Sequence, residues 1–152
     1  GYSKGGTGGL YTGSAASAIA NYSGRPATMV VGCADPQVQM GKRKSSAVDC
    51  AEDSEGFASA VKAATSAVST IVSIGIDGSF EGENGDFRAF SPDGIGLPGA
   101  QLKLVDQVAQ AASTPIIVTV SGSSVDLSPI KDHPKIGAIV WNGYGGEAAA
   151  PQ

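Results

Sequence analysis

One segment of the sequence, residues 77–93, carries most of the side chains suited to acid–base chemistry. It holds five carboxylates and a single arginine: Asp77, Glu81, Glu83, Asp86 and Asp93, with Arg88. Because like charges close together disfavour ionisation, the most buried of these carboxyl groups is expected to have a raised pKa and to keep a proton that it can donate. The competing interpretation is an acidic surface loop with no chemistry of its own.

A calcium site is a further alternative for the same segment. Four residues match positions 1, 3, 5 and 6 of an EF-hand loop: Asp77, Ser79, Glu81 and Gly82. Position 12, which requires a bidentate glutamate, is Arg88, and a cation there opposes the binding of another. One histidine, His133, and two cysteines supply too few ligands for a transition-metal site. We therefore expect no metal and no other cofactor.

Composition and motifs exclude other classes of ligand. The formal net charge of -4 provides no basic surface for nucleic acid. No run reaches the roughly 18 uncharged apolar residues that a membrane span needs. Gly41-Lys42 is followed by Arg43, so no phosphate-binding loop is complete.

Two features bear on the compartment in which the protein works. Cys33 and Cys50 lie 17 residues apart, and either they pair in a disulfide, which indicates an oxidising compartment, or they remain two buried thiols. Asn21-Tyr22-Ser23 has the pattern of an N-glycosylation acceptor. These features predict a secreted or cell-surface protein.

Hydrophobic periodicity predicts an alternation of helices and strands. Strands are predicted over 27–31, 70–76, 115–120 and 136–141, and helices over 13–21, from 54, from 98 and from 128 to 134. The two longer helices are predicted from apolar residues at helical spacing. These residues are Phe57, Ala60, Val61, Ala64 and Val68 in the first and Leu102, Val105, Val108, Ala109 and Ala112 in the second. This alternation predicts an α/β fold, a mostly parallel sheet flanked by helices that cover both of its faces.

The predicted strands also indicate where a ligand would bind. Polar, glycine-bearing segments follow three of them, at 77–81, 121–124 and 142–146. Ligands of open α/β sheets bind beyond the carboxyl ends of the strands. We therefore expect the functional site at that edge, with His133 away from it.

Four segments together resemble the C-terminal α/β-sandwich domain of family 3 glycoside hydrolases, most closely the β-xylosidase and β-glucosidase branch. They are 74–88, 97–102, 120–127 (VSGSSVDL) and 133–146 (HPKIGAIVWNGYGG). Residues 21–24 and 32–35 also resemble upstream parts of that domain. The matching segments follow the same order and approximate spacing as in that domain over most of residues 20–146.

The resemblance implies a retaining glycosidase that acts on a β-linked oligosaccharide or glycoside. Its two carboxylates, about 5–5.5 Å apart, lie on different domains in this family. The nucleophile is an aspartate of a (β/α)8 barrel, to which nothing in these 152 residues corresponds. The general acid/base is a glutamate of the acidic loop, by position Glu81, with Glu83 as the second candidate.

Four further residues are expected at the substrate. Asp86 and Arg88 resemble a pair that stabilises the loop, although Phe87 stands between them where the family often has them adjacent. Phe80 and Tyr144 are expected to form an apolar wall or a stacking surface for sugar, with ordinary packing as the alternative.

The resemblance also sets the expected domain organisation. We expect a glycine-rich tail over 1–11, the sandwich domain over 12–147 and a second tail over 148–152. The sheet is expected to be truncated at both ends, with a barrel domain or other protein chains covering its edges. Two functions stay open: a module that lends its acid/base loop to a barrel elsewhere and is inactive alone, and a non-catalytic carbohydrate-binding or assembly subunit.

Overall fold

A computed structural model describes residues 15–33, 55–76, 81–82, 85–86, 94–97 and 99–144. Within these ranges the chain forms three helices and five strands. In chain order they are α1 (Ala15–Ser23), α2 (Glu55–Ser66), β1 (Ile71–Gly75), β2 (Glu81–Gly82), β3 (Gly85–Asp86), α3 (Gln101–Ala111), β4 (Ile116–Ser121) and β5 (Ile136–Gly143).

The chain divides into two compact units. One comprises Val30–Gly143 and contains the sheet with α2 and α3. The other comprises Gly1–Met29 and Tyr144–Gln152, and α1 is its described helix. Helix α1, predicted over 13–21, ends at Ser23, because Gly24 adopts a φ of 65° and donates its N–H to the carbonyl of Ala20 at 2.9 Å.

Three parallel strands form the main sheet, in the order β1-β4-β5. Ile74 of β1 is in register with Val120 of β4, and Val120 with Trp141 of β5. Helix α3 lies in the connection between β1 and β4, as a parallel crossover requires. The predicted α/β fold with a parallel sheet is therefore confirmed.

The core lies between one face of this sheet and the helices α2 and α3. On β4, Ile116, Val118 and Val120 are fully buried and alternate with more exposed residues. Their partners are mostly positions of the predicted stripes: Phe57, Ala64, Val105, Val108, Ala109 and Ala112. Each fully buried aliphatic side chain contributes about 1.5–3 kcal/mol to folding, so this layer stabilises the unit. Val68 departs from its stripe, because α2 ends at Ser66 and leaves it 73% exposed.

Within the described residues, the opposite face of the sheet carries exposed apolar side chains, whereas the sequence predicts that both faces are covered. Ile71, Ile117 and Val140 point to that face and are 43%, 38% and 48% exposed. Between them Ser73 and Thr119 share a hydrogen bond of 2.8 Å between their hydroxyl groups. An apolar run therefore indicates a strand here without indicating that both of its faces are buried.

Two predicted elements are wrong. Residues 27–31 are not a strand, and Met29 and Val31 are 63% and 51% exposed, because a short apolar run becomes a strand only where a neighbouring strand bonds its backbone. Residues 128–134 form a series of turns rather than a helix, with Ile130 and Lys131 both donating to the carbonyl of Leu127. The prolines at 129 and 134 leave too little room for a helix.

One polar side chain is buried in the core at the start of α3. Gln101 is 2% exposed, and its amide makes two hydrogen bonds to a single residue at the end of β1. Its Oε1 accepts from the N–H of Gly75 at 2.8 Å, and its Nε2 donates to the carbonyl of Gly75 at 2.9 Å. The side chain thus occupies the place of a neighbouring strand and satisfies both backbone groups of Gly75.

This pair of bonds predicts a large effect of Gln101→Leu on stability. Leucine leaves the N–H and the carbonyl of Gly75 buried and unpaired, at about 1–3 kcal/mol for each group. We expect the free energy of unfolding in urea to fall by about 2–4 kcal/mol. The matched control is Gln110→Leu on the exposed surface of the same helix, expected to change stability by less than about 0.5 kcal/mol. Equal losses for both variants would contradict the assignment.

Candidate functional site

The carboxyl ends of the three parallel strands meet at one edge of the sheet, which we call the carboxyl edge. It consists of Gly75, which ends β1, and the following Ile76; of Ser121, which ends β4, and the following Gly122; and of the end of β5. This is the edge at which the sequence predicts the site.

The exit of the chain from β1 is held in one conformation. Gly75 has a φ of 146°, and a Cβ there would overlap the carbonyl oxygen of Ser121, so only glycine fits. Ile76 is 3% exposed and donates its N–H to the same Ser121 oxygen at 3.1 Å. With Gln101 bonded to Gly75, the backbone is fixed up to the residue before the acidic segment.

The acidic segment contains a short antiparallel hairpin. Strands β2 and β3 pair Glu81 with Asp86 and Gly82 with Gly85. The structure therefore brings the backbones of two predicted site residues, Glu81 and Asp86, to directly opposed positions. The predicted site residues Phe80, Glu83, Arg88 and Cys50 lie outside the described residues.

The ends of β4 and β5 are joined through Gly122. Its N–H donates to the carbonyl of Gly143 at 3.0 Å, and its own carbonyl accepts the indole N–H of Trp141 at 3.1 Å. The register shifts here, so that Val120 pairs with Trp141 but Ser121 pairs with Gly143, and Asn142 is the extra residue of a bulge. Bulges of this kind redirect side chains at the ends of strands. Trp141 remains 62% exposed despite its hydrogen bond.

A hollow of about 260 Å³ opens beside Trp141. Its lining consists of Ser124, Val125, Leu127 and Trp141. Asp126 stands between two of these residues in sequence but is bonded elsewhere: hydrogen bonds from the hydroxyl and the backbone N–H of Ser128 lower the pKa of its carboxyl group. The hollow is therefore lined by uncharged side chains.

The histidine has a structural role at the other end of the sheet. His133 Nδ1 accepts the N–H of Lys135 at 3.1 Å, just before β5 begins. With Nδ1 an acceptor, Nε2 carries the proton and faces Asp106 Oδ1 of α3 at 3.2 Å. The ring thus ties the turn before β5 to α3, away from the carboxyl edge, in agreement with the sequence analysis.

Three further predicted residues lie in the described part of the chain. Tyr144 and Asn21 are exposed, and Asn21 lies in the last turn of α1. Cys33 is half-buried. In the described part of the chain no cluster of acidic, histidine or cysteine side chains is arranged to hold a metal ion. Nor is any described helix long and apolar enough to cross a membrane.

The sequence analysis misses the roles of two residues, Gln101 of α3, which bonds to the carboxyl edge, and Trp141 of β5. It places Gln101 only at a helix start and Trp141 only at the end of a strand. A glutamine on the buried side of an apolar stripe, and the single tryptophan of the chain at the end of a strand, are the signals that could have found them.

Curated proteins that resemble the chain are xylosidases. Beta-D-xylosidase 1 of Arabidopsis thaliana is 41% identical over 95 residues, 62% of this chain and 12% of the relative. Exo-1,4-beta-xylosidase xlnD of Aspergillus awamori is 38% identical over 95 residues, 61% of this chain and 11% of the relative. Probable beta-D-xylosidase 6 of Arabidopsis thaliana is 41% identical over 101 residues, which are 66% of this chain and 12% of the relative. The matches thus span about an eighth of each relative's length.

The family comparison covers nearly the whole chain. No solved structure shows a significant match. The glycosyl hydrolase family 3 C-terminal domain matches residues 3–151, and the parallel sheet with its fixed carboxyl edge agrees with that match. The chain therefore belongs to the family of glycosyl hydrolase family 3 C-terminal domains.

Proposed function

We propose that this chain is a module of a retaining β-glycosidase of the xylosidase or glucosidase type. In this proposal Glu81 is the general acid/base, with Glu83 as the second candidate, and it acts in an active site whose nucleophile lies on a barrel domain outside these 152 residues. The substrate is a β-linked oligosaccharide or glycoside, and the chain alone does not turn it over.

The observation that carries this proposal is the anchored exit from β1. A general acid has to lie within hydrogen-bond reach of the leaving oxygen, so the loop that carries it needs a rigid base. Gln101, the conformation of Gly75 and the Ser121 carbonyl fix the chain immediately before the acidic segment. Only residues 77–80 separate this base from Glu81.

The pairing within the hairpin supports the same role. Strands β2 and β3 place the backbones of Glu81 and Asp86 at opposed positions of one short segment. Like charges on such a segment disfavour ionisation, which favours a protonated carboxylic acid for donation. In the proposed site Asp86 and Arg88 stabilise the loop, and both lie at the substrate with Phe80 and Tyr144.

The test of the catalytic role is Glu81→Gln in the presence of a barrel. The chain is mixed with a barrel domain, or it replaces the corresponding domain of Beta-D-xylosidase 1 in a chimera. Each preparation, with and without the substitution, is assayed with aryl β-xylosides and β-glucosides. Loss of a general acid lowers turnover about 10²–10⁴-fold, and the loss is expected to be largest for poor leaving groups. Added azide is expected to restore turnover of substrates with good leaving groups, because azide needs no general base.

Glu83→Gln is the matched control, since it removes the same charge two residues away. It is expected to keep most of the activity. Loss of turnover and azide rescue in Glu83→Gln would transfer the role to Glu83. Full activity of both variants would contradict the proposed use of this loop and favour a non-catalytic carbohydrate-binding or assembly subunit.

We further propose that the protein is secreted, with a disulfide between Cys33 and Cys50 and a glycan on Asn21. Cys33 is half-buried, and Cys50 is the one other cysteine of the chain. Asn21 is exposed, as an acceptor has to be. In this proposal residues 12–147 form the domain between the tails 1–11 and 148–152, and a barrel domain or another protein chain covers the edges of the sheet.

A double-mutant cycle tests the disulfide. In the chain-entropy model, closing a loop of this length stabilises a protein by about 3 kcal/mol. Cys33→Ala, Cys50→Ala and the double variant are therefore expected to lose the same stability in urea, about 3 kcal/mol each. Losses that add in the double variant would mean that the two thiols do not pair. Non-reducing peptide mapping identifies the linked peptides directly.

A further inference from the structure

We propose that the hollow beside Trp141 is a binding subsite for one ring of a neutral β-linked oligosaccharide, which stacks on the indole. The choice of a sugar as ligand rests on the proposed glycosidase function. The site itself rests on three observations: the fixed indole, the uncharged lining and the position at the carboxyl edge.

The indole ring is fixed before any ligand binds. Its N–H donates to the carbonyl of Gly122 at 3.1 Å, and a Cβ at Gly143 would come within 3.5–3.6 Å of Cζ2 and Cη2, so the backbone of Gly143 runs beside the six-membered ring. The side chain is nevertheless 62% exposed. A large aromatic surface that is both held and open binds a flat apolar ligand face with little loss of side-chain entropy.

The lining of the hollow fits the two kinds of surface that a sugar ring presents. Val125 and Leu127 are half-buried apolar residues that also pack against the core, so the floor does not collapse. Ser124 adds a hydroxyl-bearing side chain to the lining. The C–H groups on one face of a β-linked pyranose form an apolar patch, while its hydroxyls at the ring edge need polar partners or water.

The size and charge of the hollow restrict the class of ligand that it can bind. About 260 Å³ is below the roughly 300–1,000 Å³ of pockets that hold drug-sized ligands, which suits a single ring. Because no charged side chain is among the lining residues, an ionic ligand gains nothing there. A neutral xylose or glucose unit matches both properties.

The place of the hollow in the fold separates it from the acidic loop. The acidic segment follows β1, whereas Trp141 lies at the end of β5, with β4 between the two strands at the same edge. A sugar ring at Trp141 therefore binds beside the end of β5, two strands away from the end of β1.

Tryptophan fluorescence tests the proposal directly, because Trp141 is the only tryptophan in the chain. The full chain is titrated with xylotetraose and, separately, with cellotetraose. We expect a saturable change in emission with at least one of the two. Unchanged emission with both tetraoses up to tens of millimolar would overturn the proposal. So would a saturable change with phenol but with neither tetraose, because that result would assign the hollow to an aromatic aglycone.

Variants assign the binding to the hollow. Trp141→Ala is expected to weaken the calorimetric Kd for the responding tetraose at least about tenfold, and Trp141→Phe, which keeps an aromatic ring, to weaken it less. Ser124→Tyr fills the hollow and is expected to weaken binding while Trp141 is retained. Tyr22→Ala removes an aromatic side chain that is 92% exposed and serves as the matched control, with unchanged Kd.

Two safeguards keep the outcomes distinct. Circular dichroism and a melting curve show whether each variant is folded. If Trp141→Ala does not fold, the binding measured with Ser124→Tyr tests the subsite. Unaltered binding by folded Ser124→Tyr would refute the subsite. Since the titration needs neither a barrel nor turnover, failure of the Glu81→Gln test leaves this result standing, and the reverse also holds.

Discussion

The bonds between the buried amide of Gln101 and the backbone of Gly75 are the constraint on which the carboxyl edge depends. A strand that ends inside a protein leaves its last N–H and carbonyl without partners unless another group supplies them. Here a side chain of α3 supplies both, so the helix that packs on the sheet also determines where β1 stops. The acidic segment then begins from a fixed point, which is the property that a loop carrying a catalytic acid requires.

Glycines allow the three strand ends to approach one another at this edge. Gly75 lies against Ser121, and Gly122 lies against Ile76 in a conformation with a φ of 96°. Because side chains are excluded at these points, backbone groups bond directly from strand to strand, and Gly122 also receives the indole N–H of Trp141. The same edge thus offers a fixed starting point for the acidic segment after β1 and an exposed aromatic surface on β5. This combination accounts for both proposed functions, proton donation and sugar binding.

The sequence predicted the parts of the fold that follow from hydrophobic periodicity. The apolar stripe from Val105 to Ala112 and the apolar run of β4 are local patterns, and the structure confirms the helix and the strand that they predict. The errors concern long-range partners: the apolar run at 27–31 has no neighbouring strand, and the exposed face of the sheet has no covering layer in the described chain. Gln101 and Trp141 were missed for the same reason, since each is defined by a hydrogen bond to a residue more than 15 positions away.

Hydrogen exchange at the amide of Gly75 tests the central claim most directly. The account predicts that this amide is protected nearly as well as the core amides of β4, that Gln101→Leu abolishes its protection under conditions where β4 stays protected, and that Gln110→Leu changes neither. Rapid exchange of the Gly75 amide in the unmodified chain, or unchanged protection in Gln101→Leu, would show that the end of β1 is not held by Gln101 and would contradict the account.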